Sequence, residues 1–273
     1  RHWGVGDLSI EERYIKAIDA GIDQFGGEKD TEVVVELIKK GLIPISRIDA
    51  SVNRILKNKF DLGLFDNPYV EVDLVKNRVN TERNIKLGRE AQKQSMVLLK
   101  NNSTLPLDKN INIFVDGFNA KSILHGNVVS NIKDADVIVS YVHTVFNGNQ
   151  PSGINRLVDN VLSSIFPNQD LNFSPEILEK LEEFSSIKPL IVVVDLNRPA
   201  ILDSIDQMSS ALVGTFGVDE AVIFETLFGE SKPTGKLPFE IPSSMKEVDE
   251  QLEDVPDDTI NPTFKFGFGL TYP

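Results

Sequence analysis

Three histidines, no cysteine and a surplus of carboxylates are what this chain offers for chemistry. Without cysteine, disulfides, thiolate metal sites and thiol nucleophiles drop out. His2, His125 and His143 lie far apart, and neither H-E-x-x-H nor G-x-S-x-G occurs, so no metal motif is readable. "GVGDLS" has two glycines at dinucleotide spacing but lacks the third, and no strand precedes it. "GESKPTGKL" looks like a phosphate loop until it is counted. Five residues separate Gly229 from Gly235 where the motif has four, and Leu237 stands where a metal-binding hydroxyl belongs. Carboxylates, aromatics and polar loops remain. They are the materials of sugar chemistry, and equally of any acidic surface.

The composition narrows the partners. The chain has 273 residues, 41% hydrophobic and 25% charged, as an ordinary soluble globular protein has. Its formal net charge of -13 argues against a nucleic-acid backbone, which needs a basic face. It also argues against docking on anionic lipid. No run approaches the ~18 apolar residues of a membrane span. The absence of cysteine fits either a bacterial cytoplasm or a secreted protein.

The elements that must position any site follow from periodicity and punctuation. Ser9 with Glu12 three residues later is a capping box, and Ile15, Ile18 and Ile22 recur at helical spacing behind it. "IDQFGG" reads as a short strand entering a glycine turn. "TEVVVELIKKGL" predicts a helix stopped by Gly41, and "ISRIDASVNRILKNKF" another with Ile48, Val52, Ile55, Leu56 and Phe60 on one face. Residues 1–65 therefore read as helix, strand, helix, helix. A lone strand cannot complete a ladder, so this looks like the last repeat of a larger strand–helix structure. Residues 66–82 read as an interdomain linker. A helix resumes near Glu82 and passes into "SMVLLKN". Beyond it, "INIFVDG", "DVIVSYVH", "LIVVVDL" and "ALVGTFG" are strand candidates, with helices in "SPEILEKLEEF" and "DEAVIFETLFG". The strands are continuous apolar runs, the signature of a mostly parallel sheet covered on both faces. The fold class is α/β. The polar stretch 147–172 reads as a long loop of the kind that holds ligands in open α/β sheets.

Four stretches carry more than pattern. "AIDAGIDQFGG" (17–27), "REAQKQSMVLLKNNSTLPL" (89–107), "LFGESKPTGKLPFEIP" (227–242) and "FKFGFGLTY" (264–272) resemble family three glycoside hydrolases, the β-glucosidases and their relatives. "RIDASVNRILKNKFDLGLFDNPYV" is similar too, and the order is the family's. The resemblance implies a (β/α)₈ barrel followed by an α/β sandwich. Residues 1–65 would be the end of that barrel, 66–82 the linker and 83–273 the sandwich. The family's nucleophile is an aspartate at the end of barrel strand seven. "HWGVGDLSIEER" is similar to a phrase that follows it, so the nucleophile is expected upstream of Arg1 and the chain is expected to begin in the middle of a protein.

The chemistry so implied is retaining hydrolysis of a β-linked glucoside or oligosaccharide, with no cofactor. One carboxylate attacks the anomeric carbon and a second group, about 5–5.5 Å away, protonates the leaving oxygen. In many relatives that second group is a glutamate on a sandwich loop. The corresponding stretch here, 141–158, has no Asp or Glu, a departure from the family pattern. Three acid/base candidates stand in its place: His143, since imidazole can serve as a general acid; Asp170 in "FPNQDLNF"; and Glu28, just past the last barrel strand. Each has a plainer reading, as a hydrogen bond at a strand end, a turn, and a solvated carboxylate. Trp3, the only tryptophan, and its neighbour His2 are substrate-binding candidates; the indole either stacks on a sugar face or packs in a core. Asn197 and Arg198 follow a strand and face either a cleft or a neighbouring domain. The competing function is a non-catalytic carbohydrate- or partner-binding module from a degenerate homologue.

Overall fold

A computed structural model describes every residue except 1–4, 28, 120–122, 124, 145–169, 253–254 and 273. His2, Trp3 and Glu28, and most of the expected loop 147–172, lie outside the described residues. The chain forms two compact units, Arg1–Val79 and Asn80–Pro273.

The first unit is helical. Helix α1 (Ile10–Asp19) starts on the expected capping box: Ser9 Oγ accepts from the Glu12 backbone N–H, and the Glu12 carboxylate accepts from the Ser9 N–H at 2.8 Å. Helix α2 (Thr31–Lys39) runs to Gly41, which takes φ +72°, a conformation that costs glycine little. Helix α3 (Ile45–Asp61) follows. Tyr14, Ile18, Leu37 and Ile43 form the small buried core. The strand expected in "IDQFGG" does not form. A strand needs a ladder partner, and the described residues of this unit supply none. Side chains hold the segment instead. Asp23 accepts from Ser51 Oγ at 2.8 Å and from Arg54 Nε and Nη2 at 2.7 and 2.6 Å, while Arg47 donates to the carbonyls of Ile18 and Ile22. The apolar face expected on α3 is only partly covered: Ile48 packs against that core, while Val52, Leu56 and Phe60 are exposed, Phe60 by 63%. Within 66–82 lie a 3₁₀ turn (Val72–Leu74) and helix α4 (Val75–Arg78).

The second unit is an α/β sandwich. Helix α5 (Glu82–Ser95), capped by Thr81, leads into strand β1 (Val97–Asn101). Strands β2 (Asn112–Asp116), β3 (Asn127–Val128), β4 (Val137–His143), β5 (Leu190–Asp195) and β6 (Ala211–Thr215) complete the sheet, in the order β1-β6-β5-β4-β2-β3. All neighbours are parallel except β1 and β6. Helices α6 (Pro175–Ile187), α7 (Asp203–Met208), α8 (Glu220–Leu227) and α9 (Met245–Glu250) follow in chain order.

The inner strands are mostly apolar because both faces are covered. Val139, Val193 and Val213 face the core built with Val222, Phe224 and Leu227 of α8. Their chain neighbours Ile138, Val192 and Leu212 face the core containing Leu181 of α6 and Ile205 of α7. The period of two explains the uninterrupted hydrophobic runs. The parallel strands β2, β4, β5 and β6 therefore bring their carboxyl ends to one edge. Chain connections leave β2 toward β3 and β4 toward β5, so the topology switches direction between β2 and β4, the position at which open α/β sheets bind ligands.

Candidate functional site

The four parallel strands end in polar residues at this edge, Asp116, His143, Asp195 and Thr215, and parallel register places the ends of β4 and β5 side by side. His143 closes β4, Asp195 closes β5, and the two are paired in the ladder. His143 Nδ1 lies 3.5 Å from Asp195 Oδ2, a polar contact just beyond a usual hydrogen bond. The imidazole is exposed, with 67% of its side-chain surface in solvent, whereas Asp195 is buried.

Asp195 is fixed by the turns on either side of it. Its Oδ2 accepts from Asn197 Nδ2 at 2.7 Å, and its Oδ1 from the Gly217 backbone N–H at 3.2 Å. Gly217 reaches that position at φ +70°, in the left-handed region that favours glycine. The carboxylate therefore has little freedom. Its Oδ2 faces the His143 ring at 3.5 Å.

The ring of Tyr141 lies 4.5 Å from the His143 ring and stacks on Phe118 at 5.0 Å. Burial raises the Tyr141 phenol above its ordinary range. A hydrogen bond with Thr215 opposes that shift, and the charges of Asp195 and Glu220 add to it. The phenol thus stays neutral beside the His143 ring. On the far side, Asp116 at the end of β2 accepts from Ser140 Oγ and from Lys180 Nζ, each at 2.7 Å. Gly117 turns sharply there at φ +78°; a Cβ would lie 2.6 Å from the Tyr141 carbonyl, so no larger residue fits.

The other described candidates divide. Asp170 makes a turn: its Oδ1 accepts from the Asn172 backbone and from Asn172 Nδ2, both at 2.9 Å. It also lies close enough to Arg198 for their charges to interact; burial lowers the guanidinium's affinity for its proton and Asp170 opposes that. His125 is remote from the edge and pairs with Glu230 at 2.6 Å. Sequence reasoning named His143 and Asn197 but missed Asp195. The signal was present: "VIVSYVH" and "LIVVVD" both end in a polar residue, and parallel pairing aligns those ends.

The glycines of the rejected phosphate loop serve packing. A Cβ on Gly229 would lie 2.9 Å from the Pro106 side chain, and one on Gly235 would lie 2.7 Å from the carbonyls of Ser95 and Met96.

Comparison with known proteins bears on the family of the chain. Residues 128–272 match the Glycosyl hydrolase family 3 C-terminal domain. Beta-glucosidase C of Emericella nidulans is 38% identical over 278 aligned residues, covering 100% of this chain and 44% of that protein. The periplasmic beta-glucosidase/beta-xylosidase of Dickeya chrysanthemi is 36% identical, covering 99% of this chain and 41% of that protein. The chain thus spans less than half the length of these relatives. Among solved structures, a beta-glucosidase from Listeria innocua in complex with gluconolactone superposes with TM-score 0.60 at 20% identity, over 96% of this chain and 44% of that one. With the family pattern running from β3 to the C-terminal segment and relatives aligned along the whole chain, this protein belongs to glycosyl hydrolase family 3.

Proposed function

We propose that this chain is the C-terminal part of a retaining β-glycosidase that removes terminal β-linked sugars, and that His143, oriented by Asp195, is its acid/base. In this reading residues 1–65 are the end of the catalytic barrel, 66–82 the linker and 83–273 the sandwich, and the nucleophilic aspartate lies upstream of Arg1. The single observation that carries the acid/base assignment is an exposed imidazole held against a buried carboxylate at the carboxyl edge of the sheet. Asp170 is the weaker candidate, because one of its oxygens already closes a turn.

The chemistry balances with these groups. The upstream carboxylate attacks the anomeric carbon while the bond from that carbon to the leaving oxygen breaks, and the His143 imidazolium gives its Nε2 proton to that oxygen. Neutral His143 then takes a proton from water, whose oxygen attacks the anomeric carbon and displaces the carboxylate. Asp195 stays beside the ring throughout the cycle and does not itself transfer a proton. The relatives named for β-glucosidase and β-xylosidase activity support β-glucosides and β-xylosides as the substrate class.

The lack of any Asp or Glu across 141–158 favours the competing reading, a carbohydrate- or partner-binding module without catalysis. The two separate on nitrophenyl β-glucoside. The folded 273-residue chain should give no turnover, and the chain extended through its upstream coding sequence should release β-glucose with retained configuration, read by proton NMR. In that longer protein His143→Ala should lower kcat roughly 10²–10⁴-fold on substrates with poor leaving groups. It should act far less on dinitrophenyl glucoside, and azide should restore turnover as glycosyl azide. An unaltered leaving-group dependence removes His143 from the role, and turnover by the short chain refutes the upstream nucleophile.

A further inference from the structure

Proton transfer to a leaving oxygen needs the imidazole of His143 aimed, and Asp195 alone does not aim it. The imidazole has 67% of its side-chain surface in solvent, and its contact with Asp195 is 3.5 Å long. The last torsion of a histidine side chain is broad, so one contact at that distance leaves the ring free to turn. A second contact decides the plane of the ring, and β4 supplies it two residues earlier. Side chains two apart in a strand share a face. Tyr141 thus stands beside His143, with ring centroids 4.5 Å apart and planes inclined at 51°.

Tyr141 is itself held. Phe118 stacks on its ring at 5.0 Å, with the planes only 14° apart. Phe118 in turn meets Phe224 edge-on at 4.9 Å, and Phe224 is a buried core residue of α8. The rings form a continuous series from the core to an exposed imidazole. The turn that carries Phe118 is pinned on both flanks. Gly117 comes so close to Tyr141 that a Cβ there would lie 2.6 Å from the Tyr141 carbonyl oxygen and 3.3 Å from the Tyr141 Cβ. The Asn119 backbone N–H donates to Glu220 Oε2 at 3.0 Å. Glu220 and Phe224 lie four residues apart on α8, so one face of that helix grips the turn twice. At its far end the Tyr141 hydroxyl hydrogen-bonds with Thr215, a buried residue of β6.

We propose that Tyr141 is a positioning residue for His143: its ring, backed by Phe118 and through it by Phe224, sets the plane of the imidazole, while Asp195 faces Nδ1. The effect on catalysis rests on the reading of His143 as the acid/base; the positioning is a property of the folded chain. It makes the 117–119 turn and α8 part of what aims His143.

The test begins without hydrolysis. In the 273-residue chain with ¹³C and ¹⁵N in its histidines, ring relaxation reports how far the His143 imidazole turns, and nuclear Overhauser contacts report its neighbour. An ordered imidazole in contact with the Tyr141 ring protons is expected. Tyr141→Phe keeps both ring faces and should preserve that order. Tyr141→Leu should lower it to that of a free surface histidine, and Phe118→Leu, which leaves Tyr141 unbacked, should lower it in part. His125, paired with Glu230 away from this edge, should be unchanged in every variant and so checks the fold. In the longer protein, Tyr141→Leu should reduce kcat on the order of 10–10²-fold on substrates with poor leaving groups, with KM near that of the parent and the rate kept in Tyr141→Phe. A freely turning imidazole in the parent chain overturns the proposal, as does one that stays fully ordered in Tyr141→Leu or, should that variant not fold, in Phe118→Leu. Equal loosening in Tyr141→Phe and Tyr141→Leu also overturns it, because the hydroxyl and not the ring would then hold the imidazole. The two readings fail separately: an unaltered leaving-group dependence in His143→Ala overturns the acid/base assignment, whereas the relaxation data decide the positioning.

Discussion

At the scale of single residues, carboxylates in this chain have two fates, and their partners decide which. Asp195 keeps one oxygen facing an imidazole because Asn197 and Gly217 fix the rest of the group. Asp23 gives up both oxygens to Arg54 and Ser51, and those hydrogen bonds hold its carboxyl far below the usual aspartate range. The consequence for pH has a definite sign. A carboxyl whose folded pKa lies below its unfolded value of about 3.9 adds stability that is present above that value. The contribution is lost as pH falls below about 4 toward the folded value. The first unit should therefore loosen in that window, followed by tryptic cutting after acid exposure or by amide exchange in α3. Asp23→Asn should make the loosening less dependent on pH; an unchanged acid profile in that variant would exclude Asp23 as its source.

At the scale of elements, close chain approach explains what motif matching could not. Gly235 donates its N–H to the Met96 carbonyl at 3.0 Å, and its Cα sits against the end of α5. A methyl group there meets two backbone carbonyls at 2.7 Å, which no rotamer can relieve. Gly235→Ala should cost roughly 1–3 kcal/mol, the range for overpacking a tight site, measured as a lower denaturant midpoint of the second unit. A midpoint within error of the parent would mean that the segment moves aside freely. The same region shows how far the sequence could be read. The four inner strands and the helices with clear caps were legible, because buried parallel strands give unbroken apolar runs and Ser9, Ser174 and Asp219 punctuate helix starts. Strand β1 was not. "SMVLLKN" follows a helix without a turn signal, and only its antiparallel pairing with β6 makes it a strand. Short β3 and helices α7 and α9 carry too few residues to show a period. In the candidate site, His143 was legible as a residue type. Asp195 required strand order, which depends on contacts between segments far apart in sequence.

At the scale of the whole molecule, the two units differ in how much they bury. The second has a continuous core on each face of a six-stranded sheet, whereas the first, among its described residues, has a core of four buried apolar side chains. Since opening free energies follow buried apolar contact, the first unit should exchange and cleave sooner. Brief thermolysin treatment should leave a protected fragment starting near residue 80, identified by mass. Equal resistance in both units would contradict this. The uncovered apolar side chains of α3, together with Leu62, Phe65, Tyr69 and Val70, form a large exposed set in the first unit. In the proposed reading, the rest of a barrel covers much of that face.

The sheet meets a different hazard, that of recruiting a strand from another molecule. Its two margins are β1 and β3. Strand β3 is two residues long, too short to template an intruder. Strand β1 is longer, but Leu270 donates its N–H to the Leu98 carbonyl at 2.8 Å and closes an antiparallel bridge along the outer side. The "FKFGFGLTY" segment thus acts as a selvage, the finished border that keeps a woven cloth from unravelling. A chain that lost it would still hold its central strands, but would expose a hydrogen-bonding margin from which fibrillar assembly could start.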